Sequence, residues 1–201
     1  MAPSRTRSKS KVRGFDFTSR MRILCEDVSQ RLPEMSHIDV SRIAFAFAQT
    51  RKRVRHGMWA SLTPMRFADG AETEIRNGRR YSVQRLYNED GVEMLYILTF
   101  YLPRFMQLSF QDKLVTVFHE LWHVSPDFNG DIRRFPGRCY AHTHSEEEYD
   151  AEMEVLAKRW LSLNPGEETY AFLKLKFSGL QERYGQVFGV KVPQPKLIPL
   201  E

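Results

Sequence analysis

The sequence has few of the features that mark secreted, membrane-spanning or disulfide-stabilised proteins. Its 201 residues include only two cysteines, Cys25 and Cys139, too few for a disulfide framework and without a CxxC partner for a metal site. The longest apolar run, residues 94–102, contains a threonine and is far shorter than the ~20 residues of a membrane-spanning helix. The N-terminus lacks the apolar segment of a secretory signal. These absences favour a soluble, cytoplasmic protein with no membrane segment.

Acidic residues are absent from the first thirteen positions, where the basic residues are Arg5, Arg7, Lys9, Lys11 and Arg13. The formal net charge of the whole chain is +5, so the rest of the chain is formally neutral. We therefore expect a disordered basic tail over residues 1–14, a single domain over residues 15–186 and a loose, proline-rich tail over residues 187–201. Weak contact of the basic N-terminal tail with nucleic acid is the alternative interpretation.

Hydrophobic patterns predict several short strands in the first half of the chain. Apolar or alternating segments bounded by turn residues occur at residues 43–47, 59–67, 81–87 and 94–102. The turn at residues 88–91 would join the last two segments as a hairpin. The strand at 94–101 could also pair with an extended peptide, although the core of the sheet is the other interpretation. Together with the helices, these strands predict an α+β fold.

Helices are predicted on both sides of the strand region. Apolar residues recur at three- and four-residue steps over residues 15–32. A second helix begins at the N-cap Ser109 and ends before Pro126, and a third begins at the capping box of Ser145 and Glu148. A last helix is predicted over residues 167–184.

The second helix carries the pattern HExxH, formed by His119, Glu120 and His123, which we place in the middle of the helix. Residues four apart lie one above the other on a helix, so both imidazoles can reach one ion at ~2.0–2.1 Å. The glutamate beside the first histidine can reach a water on that ion and act as its general base. The pattern therefore predicts a zinc site with Glu120 as the catalytic residue.

A catalytic zinc ion usually takes three protein ligands and leaves one position open. His144 is our first choice for the third ligand, because the helix start at Ser145 would fix its backbone. His142, two residues earlier, is the first alternative. Glu146 is the second alternative, with Asp150 four residues on as a partner that orients a histidine.

The stretch of residues 118–124, FHELWHV, resembles the active-site helix of compact zincin metallopeptidases. These are the SprT-like and WLM-type minimal domains and the phage-type metallopeptidases of bacteria. His144 and Ser145, followed by Tyr149, resemble their third-ligand element. The resemblance implies a zincin-like fold, in which a small mixed or antiparallel sheet packs on the HExxH helix between flanking helices. It also implies an antiparallel edge strand that holds the substrate.

From these observations we expect a zinc-dependent metallopeptidase that hydrolyses peptide bonds of a peptide or protein substrate through a metal-activated water. One alternative is a non-catalytic zinc-binding regulatory protein, in which the same histidines hold the metal. The other is a nucleic-acid-associated protein that uses the basic tail and the basic cluster at residues 51–55.

Overall fold

The computed structural model describes residues 14–50, 57–134 and 146–201, apart from the side chains of residues 146–148. Its α-helices are α1 (Phe17–Arg31), α2 (Phe110–Trp122), α3 (Glu146–Ser162), α4 (Glu167–Tyr170) and α5 (Phe177–Tyr184). Its strands are β1 (Phe15–Asp16), β2 (Ile43–Gln49), β3 (Ala60–Pro64), β4 (Thr73–Arg76), β5 (Arg79–Val83), β6 (Tyr96–Leu102), β7 (Val187–Phe188) and β8 (Leu197–Pro199). The predicted α+β class is confirmed.

The central sheet is mixed and has the strand order β2-β6-β3. Strand β6 lies in the middle, parallel to β2 and antiparallel to β3. The strands predicted at residues 43–47, 59–67 and 94–102 are therefore confirmed. Because β6 already has a neighbour on each side, the prediction that it could pair with a peptide is wrong. The edge strand is β3.

The hairpin predicted between residues 81–87 and 94–102 is also wrong. Strand β5 belongs to a second sheet of order β4-β5-β8, and only an isolated bridge between Tyr87 and Glu93 closes the turn that follows it. The actual hairpin joins β4 to β5 through Asn77 and Gly78, which both have positive φ (50° and 77°). Asn-Gly is a strong signal for such a turn.

The first helix begins two residues later than predicted, because Phe15 and Asp16 form β1, whereas α2 begins after Ser109 as predicted. The Asp16 carboxylate caps α1 and accepts a hydrogen bond from the Ser19 amide at 3.1 Å. The Ser109 hydroxyl caps α2 and accepts from the Asp112 amide at 3.1 Å. Helix α1 packs its buried face, which includes Met21, on the main core between the central sheet and α2 and α3. No helix in the described ranges has the length and apolar character needed to cross a bilayer.

The last helix, predicted over residues 167–184, is interrupted in the structure. Helix α4 passes into a 3₁₀ turn at Ala171–Lys174, and α5 begins only at Phe177. The buried amine of Lys113 in α2 donates hydrogen bonds to the carbonyls of Leu173 (2.8 Å) and Leu175 (2.7 Å). A donor from a neighbouring helix therefore satisfies the carbonyls at the interruption, which local periodicity cannot reveal.

The expectation of a loose tail over residues 187–201 is wrong. Strand β7 pairs in parallel with β1, and β8 pairs antiparallel with β5. Between them, the Phe47 amide donates to the Val190 carbonyl at 3.0 Å, and Val192 packs on a small second core of Ala46, Met65 and Ile97. The C-terminal segment thus completes the face of the central sheet that α2 leaves uncovered. The expected basic tail, apart from Gly14, lies outside the described residues.

Candidate metal centre

The HExxH pattern lies at the C-terminal end of α2, not in the middle of the helix as expected. His119 is in the last turn, and His123 is the C-cap residue with φ −69° and ψ −14°. These dihedral angles continue the helical path, so the two imidazoles still face each other one turn apart. Their ring centroids are 4.8 Å apart and their planes are inclined by 76°.

The Glu120 side chain is buried beside this pair, with the residue only 8% exposed. Burial raises the pKa of its carboxyl group to about 7, and a hydrogen bond from the Leu62 amide opposes that shift. Leu62 is in the edge strand β3. The sheet register explains this contact. Trp59 and Met65 form backbone hydrogen bonds with residues 95–102 across the sheet. Leu62 is three positions from each of them, and the backbone groups of successive residues point to opposite sides of a strand, so the Leu62 amide points away from β6.

Helix α3 brings two further side chains to the centre. The Asp150 carboxylate lies 3.2 Å from Nδ1 of His119, as expected for a partner that orients a histidine. Tyr149 packs against both histidine rings, edge-on to His119 at 4.8 Å and stacked on His123 at 5.8 Å. Tyr149 is only 4% exposed, and burial raises the pKa of its hydroxyl group. These contacts give Tyr149 a clear packing role.

Arg133 fixes the end of α2, a role that no sequence pattern indicated. Its Nε donates to the Trp122 carbonyl at 2.7 Å, and its amide donates to the His123 carbonyl at 2.7 Å. Its guanidinium lies 4.1 Å from the centroid of the Trp122 ring. Two carbonyls at the helix terminus thereby gain donors from the returning chain. The neighbouring Arg134 instead pairs with the buried carboxylate of Asp131.

A cavity of about 740 Å³ opens beside His119 and Glu120. It lies between α2 and the start of the edge strand, and its lining includes Met58, Trp59 and Asp150. The candidate centre is therefore reached from solvent through a cleft with an edge strand on one side. This arrangement can admit an extended polymer to the Glu120 carboxylate.

A family model described as putative phage metallopeptidase matches residues 15–151. The chain belongs to this family. The match covers α1, the central sheet, α2 and the start of α3, and it includes every candidate site residue. Neither the curated proteins nor the solved structures include a significant match. The resemblance to phage-type metallopeptidases is thus confirmed, and the one to SprT-like and WLM-type domains stays a prediction.

The choice of a third ligand stays open between the three residues named from the sequence. His142 and His144 lie outside the described residues, and so does the side chain of Glu146, the first residue of α3. Within the described ranges, no set of three His, Cys, Asp or Glu residues forms a possible metal site.

Proposed function

We propose that this chain is a zinc-dependent peptidase of the zincin type, with His119 and His123 as metal ligands and Glu120 as the general base. One observation carries the proposal. Two imidazoles lie one helical turn apart, that of His119 on the wall of a cleft, next to a buried carboxyl group that an edge strand holds in place. The mixed sheet with its antiparallel edge strand β3 beside α2 supports the zincin arrangement.

The residues present fit a zinc ion. Two imidazoles bound to one ion at tetrahedral angles have ring centroids about 5 Å apart, close to the 4.8 Å between His119 and His123. The contact of the Asp150 carboxylate with Nδ1 of His119 favours the tautomer that presents Nε2 as the ligating nitrogen. His144 is the proposed third ligand, with His142 and Glu146 as the alternatives.

Zinc bound here would polarise the scissile carbonyl group and lower the pKa of a water towards ~7. The Glu120 carboxylate would take a proton from the attacking water and later give it to the leaving amine. Burial favours the neutral form of this carboxyl group, so it can hold the proton between the two steps. The Leu62 amide fixes the direction of that carboxyl group from the edge strand.

The test replaces Glu120 with glutamine, whose carbonyl oxygen can still accept from the Leu62 amide. We expect Glu120→Gln to bind zinc as the wild type does, measured by mass spectrometry of the metal content. Hydrolysis of a fluorogenic peptide should fall at least about 100-fold, because general-base catalysis is lost. In contrast, His119→Ala should lose both the bound zinc and the hydrolytic activity.

The control is Glu182→Gln, which neutralises an exposed glutamate in α5 and should keep full activity. Retained turnover in Glu120→Gln would contradict the mechanism. A wild-type protein that binds one equivalent of zinc but cleaves no peptide would support the alternative of a non-catalytic zinc-binding protein.

A further inference from the structure

The cavity beside the candidate metal centre continues along α2 as a groove, which we call the α2 groove. Its helical side is formed by Asp112, Val115, Thr116 and His119 of α2, together with Leu108, which directly precedes the N-cap residue. The four α2 positions recur at steps of three and four residues, so they share one face of the helix. Asp112 and His119 lie almost exactly two turns apart, which corresponds to about 10 Å along the axis.

The opposite side of the α2 groove is formed by residues 57–60, which lead into the edge strand β3, and β3 continues alongside the helix. Leu62 lies at the Glu120 end of the groove, since its amide bonds to that carboxyl group. Met58 lies at the other end of the groove. Its carbonyl accepts a hydrogen bond at 3.0 Å from Nη1 of Arg104, which lies shortly before α2 in the chain. An extended peptide advances about 3.3 Å per residue, so the groove spans about three residues between His119 and Asp112.

The wall of the α2 groove near the edge strand is apolar. Met58 is 60% exposed and Trp59 is 41% exposed, although both are large apolar side chains. Leu108 and Val115 face them from the helical side. Large apolar side chains that remain exposed around a cleft typically mark a binding surface, because a ligand removes their area from water.

The described lining of the α2 groove carries negative charge. Asp112 and Asp150 line it, and its described lining contains no lysine or arginine. The carboxylate of Asp112 is exposed, and none of the ion pairs between described residues includes it. Its helical role, complementing the dipole at the start of α2, requires a charge but no partner. It can therefore bind a cationic group in the groove.

We propose that the substrate is an extended polypeptide segment with a lysine or arginine about three residues from the scissile bond and apolar side chains between the two. The apolar side chains lie against Trp59 and Met58, and the basic side chain pairs with Asp112. This specificity rests on the proposed peptidase function, because it takes the His119 end of the groove as the site of cleavage.

The experiment uses two fluorescein-labelled ten-residue peptides with a Phe-Leu centre, which carry either lysine or glutamate three residues to each side. Binding to zinc-loaded Glu120→Gln is measured by fluorescence anisotropy, so that affinity is read without turnover. We expect the lysine peptide to bind about five- to tenfold more tightly than the glutamate peptide. Lysine forms a partly exposed ion pair with Asp112, whereas glutamate places a like charge beside it. Asp112→Asn, made in the same background, should reduce this ratio at least about threefold.

Two further variants separate the charge from the apolar wall. Trp59→Ala should weaken both peptides about equally and leave their ratio unchanged. Glu26→Gln, which neutralises an exposed glutamate in α1 outside the groove, should change neither affinity. The inference is overturned if neither peptide binds, if both bind equally, or if the ratio survives in Asp112→Asn.

Cleavage by the zinc-loaded wild type distinguishes this inference from the proposed function. Peptides that bind with the expected ratio but give no product would contradict the peptidase and leave the specificity of the groove intact. Product formed from both peptides at equal kcat/KM would support the peptidase and overturn the specificity.

Discussion

At the scale of single residues, two buried ionisable groups on α2 have opposite pKa shifts with the same main cause. Burial raises the pKa of Glu120 to about 7 and lowers the pKa of Lys113 to about 8, because desolvation disfavours the charged form of each. Lys113 is only 1% exposed and donates to the Leu173 and Leu175 carbonyls. One group lies at the candidate centre, and the other joins α2 to the C-terminal part of the chain.

The shift of Lys113 predicts that stability depends on pH. Between its folded pKa of about 8 and an unfolded pKa near 10.4, the unfolded state binds more protons, so stability rises with pH over that window. The neutral amine can still donate to both carbonyls. We expect the free energy of unfolding of the wild type to rise relative to that of Lys113→Met between pH 7 and pH 9.5, by on the order of 1 kcal/mol.

Urea unfolding of both proteins at the two pH values measures this difference. Comparison with Lys113→Met removes the contribution of every other titrating group. A difference in the free energy of unfolding that stays constant or decreases as the pH rises would contradict a lowered pKa for Lys113.

At the scale of elements, the end of α2 determines how the candidate ligands are held. The helix stops at Trp122, earlier than Pro126 requires, because Val124 forms a bridge with Ile132 and the chain returns. Arg133 then bonds to the last carbonyls of the helix. His123 therefore depends on a contact with the loop after the helix as well as on the helix itself.

Replacing Arg133 with methionine should loosen this terminus. We expect the free energy of unfolding to fall by about 1–3 kcal/mol, since a half-buried carbonyl loses its donor and the Trp122 ring loses its cation. Hydrogen exchange at the amides of residues 119–123 should become faster. Arg22→Met, on an exposed position of α1, is the matched control and should change neither quantity. Unchanged exchange in Arg133→Met would show that the helix end does not depend on this side chain.

The strands show which sequence-based predictions depend on residues that are far apart in the chain. The positions of β2, β3 and β6 follow from apolar patterns of the residues themselves. The hairpin prediction failed because the turn at residues 88–91 leads from one sheet to another, and only the pairing of β6 with β2 and β3 decides this. The edge position of β3, which brings Leu62 to Glu120, has the same origin.

At the scale of the whole molecule, the C-terminal segment belongs to the fold. It runs from β7 beside β1 to β8 beside β5, and it covers the second core with Val192 on the way. The segment lies beyond the family match, which ends at residue 151. The sheet of β4, β5 and β8 thus receives one of its strands from outside the matched region.

Deletion of residues 191–201 should destabilise the protein. We expect the Tm to fall by about 5–10 °C, because β5 loses β8, one of its two neighbouring strands, and the second core loses Val192. Tryptic cleavage after Arg79 and Arg80, followed by mass spectrometry, should become faster. Deletion of Glu201 alone is the control and should leave both values unchanged. An unaltered Tm in the longer deletion would show that the segment contributes nothing to stability.

The sequence alone determined α2, its cap at Ser109 and the spacing of His119, Glu120 and His123, because helix periodicity and capping depend on residues within one or two turns. It also indicated Asp150 as a partner for a histidine. Only the tertiary structure decided that Asp150 meets His119, that Leu62 bonds to Glu120 and that the cleft has β3 as its edge. These contacts join segments far apart in the chain, and their partners are fixed by packing and strand pairing over the whole fold rather than by local pattern.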